Sequence, residues 1–106
     1  MNALPPVIEE HLDEVRALCE KYRVKRLAVF GSAVKGTFDP ERSDLDFVVE
    51  FDSDLFGSAG WHAYFDLKFA LTDLFDRNID LVEWEAVKNP YFREVLELSQ
   101  RDVYAA

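Results

Sequence analysis

Two aspartates stand at alternate positions of an otherwise apolar run, Asp44-Leu45-Asp46-Phe47-Val48-Val49. Side chains of a strand alternate between its faces, so Asp44, Asp46 and Val48 point one way and Leu45, Phe47 and Val49 the other. Two carboxylates side by side raise the cost of keeping both ionised. A hard divalent cation removes that cost, and Mg²⁺ in particular binds through one or two carboxylates plus substrate phosphates. A third acid, Asp80, interrupts the apolar run Ile79-Asp80-Leu81-Val82. If the two runs pair as neighbouring strands, Asp80 can face the same side. Three carboxylates so placed could hold two metals, the arrangement that stabilises the entering and leaving oxygens of an in-line phosphoryl displacement. Ordinary strand-end acids would explain any one of them, but poorly explain all three at this spacing.

A second feature precedes the pair. The apolar run "VKRLAVFG" ends at Gly31-Ser32. A tight turn from a strand into a helical turn exposes backbone N–H groups suited to phosphate oxygens. Gly31 lets a phosphate come close to the backbone, and the Ser32 hydroxyl adds a donor. The pattern GSxxxG is a weak signal by itself, and it is neither a P-loop nor a dinucleotide fingerprint. Joined to the following "SDLD" it becomes strong. Ser43, Lys35 and Arg42 complete the candidate nucleotide-binding set; the two cations either neutralise a triphosphate or are solvated loop charges.

Residues 7–22 place Val7, Ile8, Leu12, Val15, Leu18, Cys19 and Tyr22 at helical spacing behind Pro5-Pro6. "VKRLAVFG" and "DLDFVVEF" read as strands, with a loop "TFDPERS" between them. "DSDLFGSAG" reads as a turn region. Residues 61–76 predict a long helix, with Trp61, Tyr64, Phe65, Lys68, Leu71, Leu74 and Phe75 on one stripe. That stripe is read as core, with a partner-binding groove as the alternative. "NIDLVEW" is a third strand, "NPYFREVLELSQ" a helix capped by Asn89 with Pro90 at its first position, and "DVYA" a short strand or a fraying tail. The order predicts a small α/β (α+β) domain over residues 1–106: a mixed β-sheet with helices packed on one face.

Composition narrows the function classes. A chain of 106 residues that is 49% hydrophobic and 14% aromatic supports one folded core rather than a disordered acidic segment. No apolar stretch approaches a membrane span, and the first residues lack the basic start and apolar middle of a signal peptide. With one cysteine, Cys19, placed on the apolar helix face, these features predict a cytoplasmic protein and a buried thiol. His11 and His62 have no second ligand nearby in sequence and read as surface or boundary residues. A net charge of −9 disfavours stable nucleic-acid binding by this chain alone, because phosphate neutralisation supplies much of that affinity. A basic protein partner fits better.

The set "GSAVKG…SDLDFVVEF…NIDLV" resembles the signature of the DNA polymerase beta-like nucleotidyltransferases: a Gly-Ser turn, an Asp-x-Asp pair and a later single Asp. Its short form is similar to the minimal nucleotidyltransferases (MNT), found beside a helical HEPN-domain protein as a toxin–antitoxin pair. The resemblance implies a polymerase beta palm-like fold, nucleotide contacts from Gly31 and Ser32, and Mg²⁺ (two ions) on Asp44, Asp46 and Asp80. Asp80 would assist the metals or accept the attacking hydroxyl's proton. ATP would be the substrate and a tyrosine of a HEPN toxin the acceptor, so that adenylylation acts as antitoxin activity. The spacing from Ser32 to Asp44 is one residue longer than the family commonly has, and the extra residue falls in the loop, where insertion costs little. The rival expectation is a non-catalytic module that neutralises a HEPN protein by complex formation. Transfer to a tRNA or an antibiotic is weakened by the single expected domain.

Overall fold

The computed structural model describes Leu4 and residues 6–31, 44–52 and 58–105. The first expected helix is two: α1 (Pro6–Glu9) and α2 (Leu12–Lys21), broken at Glu10-His11. Strands β1 (Val24–Phe30) and β2 (Leu45–Phe51) follow. Helix α3 (Ser58–Phe75) begins earlier than its apolar stripe suggested and takes in part of the expected turn region. Strand β3 (Ile79–Glu83) gives way at Trp84 to a 3-10 turn, Trp84–Ala86. Helix α4 (Pro90–Ser99) and strand β4 (Arg101–Ala105) complete the order.

These elements form a mixed four-stranded sheet in the order β3-β2-β1-β4. β1 pairs antiparallel with β2 and with β4, whereas β2 and β3 run parallel. A parallel pair needs a long crossover, which α3 supplies. The "DVYA" segment is thus a true edge strand, held to β1 with a 2.9 Å Arg26–Asp102 ion pair at its side.

Alternation along the strands separates two apolar clusters. Leu27, Val29, Leu45, Phe47, Val49, Ile79 and Leu81 face α1, α2 and α3, where Ile8, Val15, Cys19, Leu67, Leu71 and Phe75 meet them. The other sheet face carries Ala28 and Val48, which pack with Val87 of the β3–α4 connection and Leu96 of α4. The helices before β3 therefore share one face, and α4 lies over part of the other. Its entry is held locally. The Asn89 side chain accepts from the N–H groups of Tyr91 (2.9 Å) and Phe92 (3.4 Å), the cap read from sequence. Arg93 donates to the carbonyls of Val87 and Trp84 while its guanidinium lies 4.6 Å from the Trp84 ring centroid.

Cys19 is fully buried among these side chains. Burial, with a smaller contribution from Glu20, pushes its thiol up to about 12. At pH 8 its thiolate fraction should then be about 10³-fold below that of a free thiol. Ellman's reagent is expected to react at once in denaturant and only on the unfolding timescale in native buffer. Prompt native labelling would show that α2 does not seat this face as described.

Candidate nucleotidyl-transfer site

The sheet register brings the three acids together. Phe30 at the end of β1 is the Cα partner of Asp46 on β2, and Asp46 is in turn the partner of Asp80 on β3. Phe30, Asp46 and Asp80 form one row across the sheet, about 4.8 Å per step, on the face that α4 partly covers. The adjacent row, Ala28, Val48 and Val82, belongs to the cluster around Leu96. Phe30 itself meets Phe92 of α4 edge to face, with centroids 6.2 Å apart. Asp44 lies one alternation further out, immediately before β2, where the Leu45 N–H donates to the Asn78 carbonyl (3.2 Å) and ties the two strand starts. Asp44 and Asp80 are exposed and Asp46 half-buried.

Gly31 closes the row on the β1 side. Its φ is +75°, a region that L side chains rarely adopt. A Cβ placed there would stand 2.3 Å from Asp46 Oδ2. Two constraints thus require glycine: the turn conformation and the close approach of its backbone to a carboxylate. Asp46 is held above its ordinary carboxylate value by burial first, then by the charges of Asp80 and Asp44. Tyr64 of α3 donates its hydroxyl to the Leu81 carbonyl, joining the crossover helix to β3 one residue past Asp80. Burial, then Asp80, then Glu83 push the Tyr64 hydroxyl above its usual value.

A bound cation would answer this electrostatic problem. Oxygen ligands from carboxylates suit Mg²⁺, and the glycine backing leaves room beside Asp46 that a side chain would fill. Among the described residues, no three His, Cys, Asp or Glu side chains are close enough to enclose an ion by themselves. The acids are neighbours rather than a closed cage, which fits an ion whose remaining ligands arrive with a phosphate substrate. Gly31, Asp44, Asp46 and Asp80 are therefore brought to one end of the sheet. Ser32, Lys35, Arg42 and Ser43 lie outside the described residues, as does the side chain of Trp61.

One part of the site escapes the motif. A cleft of about 380 Å³ opens beside Asp44 and Asp80, lined also by Lys68, Phe69 and Thr72 of α3 and by Asn78 and Ile79. The sequence carried one sign of it: Lys68 is a charged residue within the apolar stripe of α3. His11 lies 3.0 Å from Glu14 and His62 is exposed, and neither joins the site.

Sheet order, acid row and glycine turn define a class of phosphate-chemistry domain, and comparison with known proteins specifies it. The model of the nucleotidyltransferase domain matches residues 12–103, and the chain belongs to that family. A protein of Methanocaldococcus jannaschii named as a candidate protein adenylyltransferase is 38% identical over 82 residues, covering 77% of this chain and 79% of the relative. A second such protein of the same organism is 32% identical over 97 residues, 92% of this chain and 94% of its own length. A solved structure of a candidate minimal nucleotidyltransferase superposes with a TM-score of 0.75 at 26% identity, covering 93% of this chain and 95% of that one. The crystal structure of a toxin–antitoxin complex with AMP-PNP shares the fold, with a TM-score of 0.69 at 19% identity over 90% of this chain and 73% of that one. The expected resemblance to minimal nucleotidyltransferases is borne out.

Two substitutions probe this geometry. Because the neutral form of Asp46 is favoured in the fold, its contribution to stability is present at low pH and lost as pH rises through its raised value. At pH 7 and without metal, Asp46→Asn should therefore raise the Tm by a few degrees, with the difference shrinking towards pH 4. Mg²⁺ should raise the wild-type Tm more than that of the variant. Gly31→Ala should cost about 1–2 kcal/mol from its backbone conformation and displace the Asp46 carboxylate. Unchanged melting in both variants would contradict the described row.

Proposed function

We propose that this protein is an Mg²⁺-dependent nucleotidyltransferase that moves AMP from ATP to a tyrosine hydroxyl of a HEPN-domain partner, acting as its antitoxin. The observation that carries the reading is the row of Gly31, Asp46 and Asp80 with Asp44 beside it. In this reading Asp44, Asp46 and Asp80 hold Mg²⁺, two ions in the full complex. Bound metal would neutralise the triphosphate and lower the pKa of the acceptor hydroxyl. The Gly31 turn takes the phosphate oxygens, assisted by Ser32, Ser43, Lys35 and Arg42. The acceptor oxygen attacks the α-phosphorus, the bond from that phosphorus to the α,β-bridging oxygen breaks, and pyrophosphate leaves. Asp80 takes the acceptor's proton.

The relatives support the choice of ATP and of a protein acceptor. The M. jannaschii proteins are named for protein adenylylation. A Shewanella oneidensis complex joins a tri-AMPylated HEPN toxin to an MNT antitoxin, with a TM-score of 0.65 at 15% identity over 93% of this chain and 73% of that one. The chain's net charge of −9 suits a basic protein partner. Among the described residues no helix is long and apolar enough to cross a membrane, in keeping with work in the cytoplasm. A non-catalytic antitoxin draws on a different observation: α4 exposes Tyr91, Val95 and Leu98 on its surface, a stripe fit for binding alone.

The double variant Asp44→Asn, Asp46→Asn separates the two. With ATP labelled on its α-phosphate, Mg²⁺ and the partner toxin, label on the toxin should fall at least about 100-fold while the complex still co-purifies. If toxin neutralisation survives the same change, binding alone is the activity.

A further inference from the structure

We propose that the cleft beside Asp80 seats the acceptor, with Phe69 as the wall against which an aromatic hydroxyl-bearing side chain stacks. This rests on the transfer reading above and says which residues of this chain receive the group to be modified. In an in-line displacement the attacking oxygen and the leaving pyrophosphate lie on opposite sides of the α-phosphorus. The glycine turn that suits the departing phosphates is at the β1 end of the row, next to Asp46. Asp80 is at the β3 end. The acceptor must then approach from the β3 side, where the described cleft lies.

The lining of that cleft selects among acceptors. Ile79 and Phe69 give apolar surface, and Phe69 is 64% exposed on a helix whose neighbouring turn also shows Phe65 at 44%. Phe65 and Phe69 are four residues apart and share a face of α3, so the apolar surface runs on from the cleft along the helix. Such a surface suits a ring that packs edge to face or offset, set in a protein segment with apolar neighbours. Lys68 places one cation in the cleft, which favours a developing phenolate. Asn78 and Thr72 add polar residues to the lining. A nucleic-acid acceptor fits poorly, because among the described residues its backbone would meet Asp44 and Asp80 against a single lysine. A cleft of about 380 Å³ has room for one aromatic side chain.

The test uses the full chain, ¹⁵N-labelled, with Mg²⁺ and α,β-methylene-ATP, whose bridging carbon blocks transfer, into which N-acetyl-tyrosinamide is titrated. The ATP analogue should shift the amides of Gly31 and Asp46. The tyrosine amide should then shift those of Lys68, Phe69, Thr72 and Asn78 in a saturating manner, and N-acetyl-serinamide should not. In Phe69→Ala, whose exposed position leaves the core intact, the Kd of the tyrosine amide should rise about three- to tenfold, with that of the ATP analogue unchanged within about twofold. If the ATP analogue alone shifts Phe69 and Asn78 and loses affinity in Phe69→Ala, the cleft holds the nucleoside and the assignment is overturned. Tyrosine shifts elsewhere, or a Kd indifferent to Phe69→Ala, also overturn it. If the ATP analogue shifts neither Gly31 nor Asp46, the transfer reading itself fails, and the acceptor assignment falls with it.

Discussion

The site depends on the contact between the Gly31 backbone and the Asp46 carboxylate. Asp46 is half-buried, flanked by two other acids and held above its ordinary carboxylate value. Left alone, such a group would favour either protonation or movement of its strand end towards water. The glycine turn brings the β1 backbone against the carboxylate where any side chain would collide. Backbone N–H groups at such a turn face the place where negative charge collects. In the proposed reading the contact that confines Asp46 would also offer a surface for phosphate, so the acid pair and the glycine turn would act as one feature. Carboxylates that destabilise the fold when all are ionised would be relieved by a bound cation.

That contact holds only while the strands keep their register. A slip of one residue would send Asp46 into the helical core and expose Phe47. Phe47 and Leu45 are fully buried against the helices, and Phe47 stacks on Phe75 of α3 at 6.0 Å between centroids. Leu81 and Ile79 fix β3 in the same way, and the Tyr64 hydroxyl ties α3 to the Leu81 carbonyl. The parallel β2–β3 pair exists because α3 carries the chain back across the sheet. The crossover helix accordingly sets the lateral position of Asp80 against Asp46, and its Lys68–Thr72 turn also walls the adjoining cleft.

Much of this was legible in the residues. Strict alternation in Leu45–Val49 assigned each side chain to a face, and the Asn89-Pro90 start of α4 is a local hydrogen-bonding rule that tertiary structure did not override. The placement of Asp80 beside Asp46 followed from assuming that their strands pair. What was not legible depended on long-range packing. The break at Glu10-His11 is invisible to helical periodicity, because α1 and α2 both present apolar residues to one core. That α4 lies over the second sheet face is decided by Leu96 against Ala28 and Val48, and no pattern within α4 names its target. The cleft at Lys68 arises from a helix passing a strand start, and only the charge within an apolar stripe hinted at it.

The acidity of the chain constrains the chemistry further. Free nucleoside triphosphate approaching a chain of charge −9 and a row of carboxylates is repelled before it can touch the glycine turn. The metal-bound form carries less negative charge and would deliver an ion to the acids, so in the proposed reaction nucleotide and metal should bind as a unit. Long-range repulsion acts equally on a nucleic-acid acceptor, and its effect falls within about 10 Å at moderate salt. A protein acceptor with a basic surface meets the opposite field and is drawn in. Specificity for the reacting side chain must then arise at short range, where the field is screened and the walls of the site decide. In the proposed reaction a chain of net charge −9 would transfer a charged group by a division of labour: the acids would exclude competing polyanions, the ion would admit the nucleotide, and the apolar wall would select the acceptor.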